Sequence, residues 1–109
     1  MSLDVSLKVP VTEMQEVFSY NITHNLGEMA REAGIYEYLW RPEEIGITEA
    51  HELIGPLKAG LEWLTANSDV FKKFNPANGW GDYSVLVEFV GQYIEACEMN
   101  PHATVCVDR

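Results

Sequence analysis

Leu3, Val5, Leu7 and Val9 alternate with Asp4, Ser6 and Lys8, so apolar and polar residues take turns from 3 to 9. Successive side chains of a strand point to opposite faces, and this period of two predicts a half-buried β-strand with one apolar face. The same period returns at 103–108, where Ala103, Val105 and Val107 alternate with Thr104, Cys106 and Asp108. Two such faces must be covered by another apolar layer, and helical patterns fill the chain between them.

Phe18, Tyr20 and Ile22 alternate with Val17, Ser19 and Asn21, which predicts a second strand joined to the first as a hairpin, with a turn around Pro10–Glu13. Thr23 is a good N-cap, and Leu26, Met29, Ala30 and Ala33 recur at spacings of three and four before Gly34, predicting a helix over 24–33. Ile35–Trp40 reads as a further helical turn, and 41–46 as a loop. Thr48 is the expected cap of a helix lasting to about Asn67, with Leu53, Leu57, Leu61 and Leu64 as its apolar stripe. Proline removes a hydrogen bond inside a helix, so Gly55-Pro56 predicts a kink or break near Ile54. Ser68 is expected to cap a short turn reaching Phe74. Leu86, Phe89, Val90, Tyr93, Ile94 and Cys97 mark one face of a last helix, stopped by Asn100-Pro101. The sum is one α+β domain over 1–109. It has a small antiparallel sheet of about three strands, first and last adjacent, with three to four helices on one face.

Charge narrows the partners. Seventeen Asp and Glu face seven Lys and Arg, a formal net charge of −10, and the only basic doublet is Lys72-Lys73. Phosphate backbones and anionic membranes need clustered positive charge, so no nucleic acid and no membrane is expected as a partner. The acidity itself fits either a solvated surface or mimicry of a polyanion. No apolar run approaches the roughly 20 residues of a membrane span, and the start shows no signal-peptide pattern. A reducing cytoplasm is therefore expected, where Cys97 and Cys106 stay unpaired as small buried hydrophobes, and the sequon at Asn21-Ile22-Thr23 has no role.

Several blocks carry a resemblance. Ser2-Leu3-Asp4-Val5, the run Asn21–Ala30, Ala33-Gly34-Ile35-Tyr36, Leu39–Glu44 and Phe74–Gly81 together resemble a family of small uncharacterised proteins from bacteriophages, prophages and bacterial genomes. The resemblance spans nearly the whole chain. It implies a phage or mobile-element context, hence the host cytoplasm, and no particular reaction.

The candidate site is built from uncharged polar groups. Asn21, His24 and Asn25 lie where a helix is expected to begin, and unpaired N–H groups there favour an anionic group. The Asn75–Asp82 loop is dense in turn formers and adds Asn78 and Trp80, whose indole either anchors the loop or stacks on a flat ligand. Trp40 and Arg41 are secondary candidates as an aromatic and guanidinium pair. Capping and core packing are the competing explanations for all seven. His24 and Glu28 share a helical face, with His51 and His102 as further candidates from elsewhere in the chain, but no metal-binding motif supports that set, so neither metal nor cofactor is expected. No GxSxG, Walker or GxGxxG pattern appears.

Two function classes follow. The first is a non-enzymatic protein that binds a small polar molecule or a host protein, as a phage accessory factor. The alternative is a small enzyme using His24 as general acid or base, with Asn side chains orienting a polar substrate. A homodimer is expected, because a small sheet leaves an edge or face to cover.

Overall fold

The computed structural model describes residues 2–10, 14–79 and 81–109, with the side chain of Met14 outside that set. Three strands form one antiparallel sheet: β1 (Ser2–Pro10), β2 (Met14–Thr23) and β3 (Thr104–Asp108), in the order β2-β1-β3. The first and last strands are neighbours, as the matching alternation predicts. Most of the turn expected between Pro10 and Glu13 lies outside the described residues.

Register puts the alternation to work. Val5 pairs with Tyr20 on one side and Val107 on the other, and Leu7 with Phe18 and Val105, so one face is apolar across all three strands. Leu3, Val5 and Leu7 are essentially inaccessible, each burial stabilising by about 1.5–3 kcal/mol. The other face pairs Asp4 with Asn21 and Asp108, and Ser6 with Ser19 and Cys106. Between Leu7 and Lys8 the register slips, leaving Val17 as the extra residue of a bulge.

Among the described residues five α-helices contribute to the core beside the apolar face. They are α1 (Gly27–Glu32), α2 (Tyr36–Trp40), α3 (His51–Ala66), α4 (Ser68–Phe71) and α5 (Tyr83–Met99). Leu26, Met29, Leu39, Leu53, Leu57, Leu64, Leu86, Phe89 and Tyr93 close one core with the sheet. Gly34 ends α1 at φ +79°, with its N–H on Arg31 O and the Ile35 N–H on Ala30 O; this left-handed cap turns the chain directly into α2. Among the described residues no helix is long and apolar enough to cross a membrane.

Local details depart from the sequence reading. The first helix begins as a 3-10 turn, His24–Leu26, before the six residues of α1, and Arg41–Gly46 contains a second 3-10 turn, Pro42–Ile45, rather than open loop. Thr48 does not cap α3: Ala50 stands at the cap, and the Glu52 carboxylate reaches back to accept from the N–H groups of Thr48 and Glu49 at 2.8 and 2.9 Å. No break occurs near Ile54, since α3 runs unbroken through Pro56. Proline costs a helix one N–H donor there, and the buried stripe of Leu53, Leu57 and Leu64 outweighs it. Asn67 takes the cap position expected for Ser68. Cys106 is half-buried on the polar sheet face, not in the core, while Cys97 is fully buried.

Candidate functional site

A cleft of about 390 Å³ opens beside α1 and α2. His24, Gly27, Glu28 and Arg31 line one side, Tyr36, Trp40 and Arg41 another, and Arg109 joins from beyond β3. The turn at Gly34 makes this possible, because it folds α2 back so that a Cβ added at Gly27 would lie 3.4 Å from the Tyr36 ring. Tyr36 and Trp40, four apart on one helical turn, stack with ring centroids 5.3 Å apart and planes 9° from parallel.

Inside the cleft, Trp40 is 2% exposed and its indole N–H donates to Nδ1 of His24 at 2.8 Å. An acceptor at Nδ1 places the proton of the neutral ring on Nε2, so His24 offers the cleft a donor. The basic lone pair that a catalytic histidine would use is already engaged. The Arg31 guanidinium lies 4.1 Å over the Tyr36 ring, and among the described residues no carboxylate lies within ion-pair distance of it. Arg41 pairs with Glu44 at 2.7 Å, and Glu44 foremost, with Tyr36 second, raises its pKa further above the usual arginine value. Arg109 donates to the Trp40 carbonyl at 2.7 Å and to the Glu43 carboxylate, a contact that holds the Glu43 carboxyl below the usual glutamate range.

Three arginines are all that the sequence contains, and all three line this cleft. Glu44 and Glu43 offset the charges of Arg41 and Arg109, and Glu28 also lines the cleft, so the cleft gathers guanidinium donors rather than a large net positive charge, with Arg31 free of a carboxylate partner among the described residues. Each guanidinium carries five donors, and the pairs with Glu43 and Glu44 engage one nitrogen apiece. A carboxylate or phosphate is the group such a set recognises best.

The expected site residues separate into two groups. His24, Trp40 and Arg41 come together in the cleft. Asn21 does not: it sits on the polar sheet face, where its amide donates to Ser2 Oγ at 2.8 Å and Asp4 Oδ1 at 2.7 Å. Asn25 is exposed, its N–H donating to Thr23 Oγ1, so the cap consumes a donor expected for a ligand. Asn78 is exposed on the Asn75–Asp82 loop, and Trp80 lies outside the described residues. That loop does reach the start of the first helix, through Gly81 against Thr23 and Leu26. A larger recess of about 600 Å³ spreads over the polar sheet face beside Asp4, Glu16, Asn21 and Asp108. It gathers carboxylates around a single lysine, Lys8, with Tyr20 as its one aromatic residue, whereas the smaller cleft gathers three arginines and is the stronger candidate for an anion.

Sequence reasoning missed Arg31, Tyr36 and Arg109. Arg31 and Tyr36 were findable as the basic and aromatic positions flanking Gly34, whereas Arg109 is 69 residues from the carbonyl it binds and carries no local signal. Compared with known proteins, the chain matches no protein-family model, no curated protein and no solved structure.

Proposed function

We propose that the protein is a non-enzymatic binding protein that holds a small anionic molecule in the cleft between α1 and α2. The convergence of Arg31, Arg41 and Arg109 in an otherwise acidic chain carries this reading. The guanidinia neutralise a carboxylate or phosphate, and the Nε2–H of His24 adds a donor. A cleft of about 390 Å³ suits a metabolite of mononucleotide size or smaller. Engagement of His24 Nδ1 by Trp40 favours binding over acid-base catalysis. The resemblance to phage and prophage proteins makes the role that of an accessory factor sequestering such a molecule in the host cytoplasm.

Thermal shift and calorimetry against pyrophosphate, nucleoside monophosphates, citrate and aromatic carboxylates test the proposal. At least one anion class should raise the melting temperature, with Arg31→Ala and Arg41→Ala each weakening its binding by about tenfold or more. No response from wild type across the panel, or equal binding by Arg31→Ala, overturns it. Conversion of the bound molecule to product would favour the enzymatic reading.

A further inference from the structure

We propose that Glu49, His51 and His102 form a binding site for a divalent transition-metal ion of the zinc type, on the seam between the start of α3 and the loop joining α5 to β3. Glu49 Oε1 lies 3.2 Å from His51 Nε2 and 3.1 Å from His102 Nδ1, and the three ligand atoms all fall within 4.8 Å of one another. Zinc bound by nitrogen and carboxylate oxygen at about 2.0–2.2 Å in tetrahedral geometry sets its ligands roughly 3.3 Å apart. Both carboxylate-to-imidazole distances lie within a few tenths of an ångström of that spacing, and the two ring nitrogens lie within 4.8 Å of each other. One carboxylate with two imidazoles is a donor set suited to zinc, cobalt and nickel, and three protein ligands leave a coordination position for water.

The backbone fixes this geometry. Ala50 N–H donates to Ala103 O at 3.0 Å, His51 N–H to Pro101 O at 2.8 Å and Val105 N–H to Thr48 O at 2.9 Å, while Glu49 and Thr104 form an isolated bridge. Segments 48–51 and 101–105 are thereby clamped together before any ion arrives, which lowers the ordering cost of binding. Partial exposure gives access: the His51 side chain is 49% and that of His102 84% exposed. The chain's net charge of −10 favours a cation. None of the three residues lines the arginine cleft, so the two sites are independent.

Calorimetry of the full chain with Zn²⁺ in a weakly coordinating buffer tests the site. Wild type should bind one ion per chain. His51→Ala, His102→Ala and Glu49→Gln should each weaken binding by about tenfold or more, whereas Cys106→Ser should leave it unchanged. Far-UV circular dichroism confirms that each variant is folded, as the exposure of His102 leads one to expect. Co²⁺ in place of Zn²⁺ should give visible bands of a nitrogen and oxygen site without the near-ultraviolet absorption of a thiolate ligand. Absence of Zn²⁺ binding by wild type overturns the proposal and leaves Glu49 as a hydrogen-bonding hub for two histidines. Loss of binding in Cys106→Ser, or full binding by His102→Ala, overturns it equally.

Discussion

Trp40 donates its indole N–H to Nδ1 of His24 across 2.8 Å, tying α2 to the turn that precedes α1. The residues are 16 apart, and the bond does two things at once. It satisfies the one polar atom of a buried indole, and it selects the tautomer in which His24 presents Nε2–H to the cleft.

That tautomer is directly measurable. Long-range ¹H–¹⁵N correlation of the imidazoles should show His24 with an unprotonated Nδ1 and a protonated Nε2 at neutral pH. Trp40→Phe keeps a ring against Tyr36 but removes the donor, and should release His24 into a mixture of tautomers. Loss of a buried hydrogen bond should cost about 1 kcal/mol or somewhat more, given the smaller ring. A wild-type His24 protonated on Nδ1 would sink the donor role.

How much of this was legible depends on sequence distance. The alternation of Leu3, Val5 and Leu7 with that of Val105 and Val107 was enough to place β1 beside β3, because period two dictates which face each residue joins. The same rule, applied strictly, puts Cys106 and Asn21 on the opposite face from their apolar neighbours, where the structure has them. Expecting Cys106 in the core overlooked its own strand pattern. The break expected near Ile54 failed for a different reason, since a local propensity lost to the packing of Leu53, Leu57 and Leu64. What no local pattern carries is the meeting of distant segments. Arg109 reaches Trp40, and His102 reaches Glu49 from 53 residues away, only through the sheet order and the clamp between 48–51 and 101–105.

The two thiols should behave oppositely. Burial pushes the Cys97 thiol up to about 12, so it stays protonated and shielded at neutral pH. Cys106 is half-buried on the polar sheet face and reachable. A thiol reagent should label one cysteine per native chain, with peptide mapping placing it at Cys106, and the second only after unfolding. Labelling of Cys97 in the native protein at a comparable rate would contradict the packing of α5.

Tyr93 is stacked between Phe18 and Phe89, at 5.6 Å from each, and its buried hydroxyl has no hydrogen-bond partner among the described residues. Burial also drives its pKa upward, so the group is a neutral donor with nothing to donate to. Removing an unsatisfied hydroxyl recovers its desolvation cost, so Tyr93→Phe should stabilise the protein by roughly 1 kcal/mol in chemical denaturation. A destabilised variant would show that the hydroxyl is satisfied in solution.

Asp82 should contribute to acid sensitivity, alongside Glu43, Glu49 and Glu52, whose pKa values are also lowered. The Asp82 carboxylate accepts from the Ser84 hydroxyl at 2.6 Å and from Val85 N–H at 3.0 Å as the N-cap of α5, and these bonds, the hydroxyl first, lower its pKa below the ordinary aspartate value of 3.8. A depressed carboxyl makes the unfolded chain the stronger proton binder, so its stabilisation is full above that ordinary value and is lost as pH falls through the native one. Asp82→Asn retains an oxygen acceptor without the titration, and its melting temperature should fall less steeply than wild type below about pH 4. Asp82→Ala should melt several degrees lower at neutral pH. Parallel acid profiles for wild type and Asp82→Asn would remove Asp82 from the account.

Gly79 and Gly81 allow the junction of the Asn75–Asp82 loop with the first helical turn to be tested by comparison. Both adopt left-handed backbone, φ +76° and +87°, a region costly to residues with a Cβ, so alanine at either position carries a strain of about 1 kcal/mol. Their surroundings differ. Beyond its chain neighbours, a Cβ on Gly79 would meet nothing within 4 Å among the described residues, whereas one on Gly81 would sit 2.7 Å from Thr23 Cγ2 and 3.2 Å from Leu26. Leu26 is fully buried, so it has little room to yield, and Thr23 caps the turn through its hydroxyl to Asn25 N–H. Gly81→Ala should therefore destabilise clearly more than Gly79→Ala, by an added overpacking cost of about 1–3 kcal/mol. Denaturant midpoints of the two variants decide it. Equal losses would mean that the loop does not rest on Thr23 and Leu26 in solution.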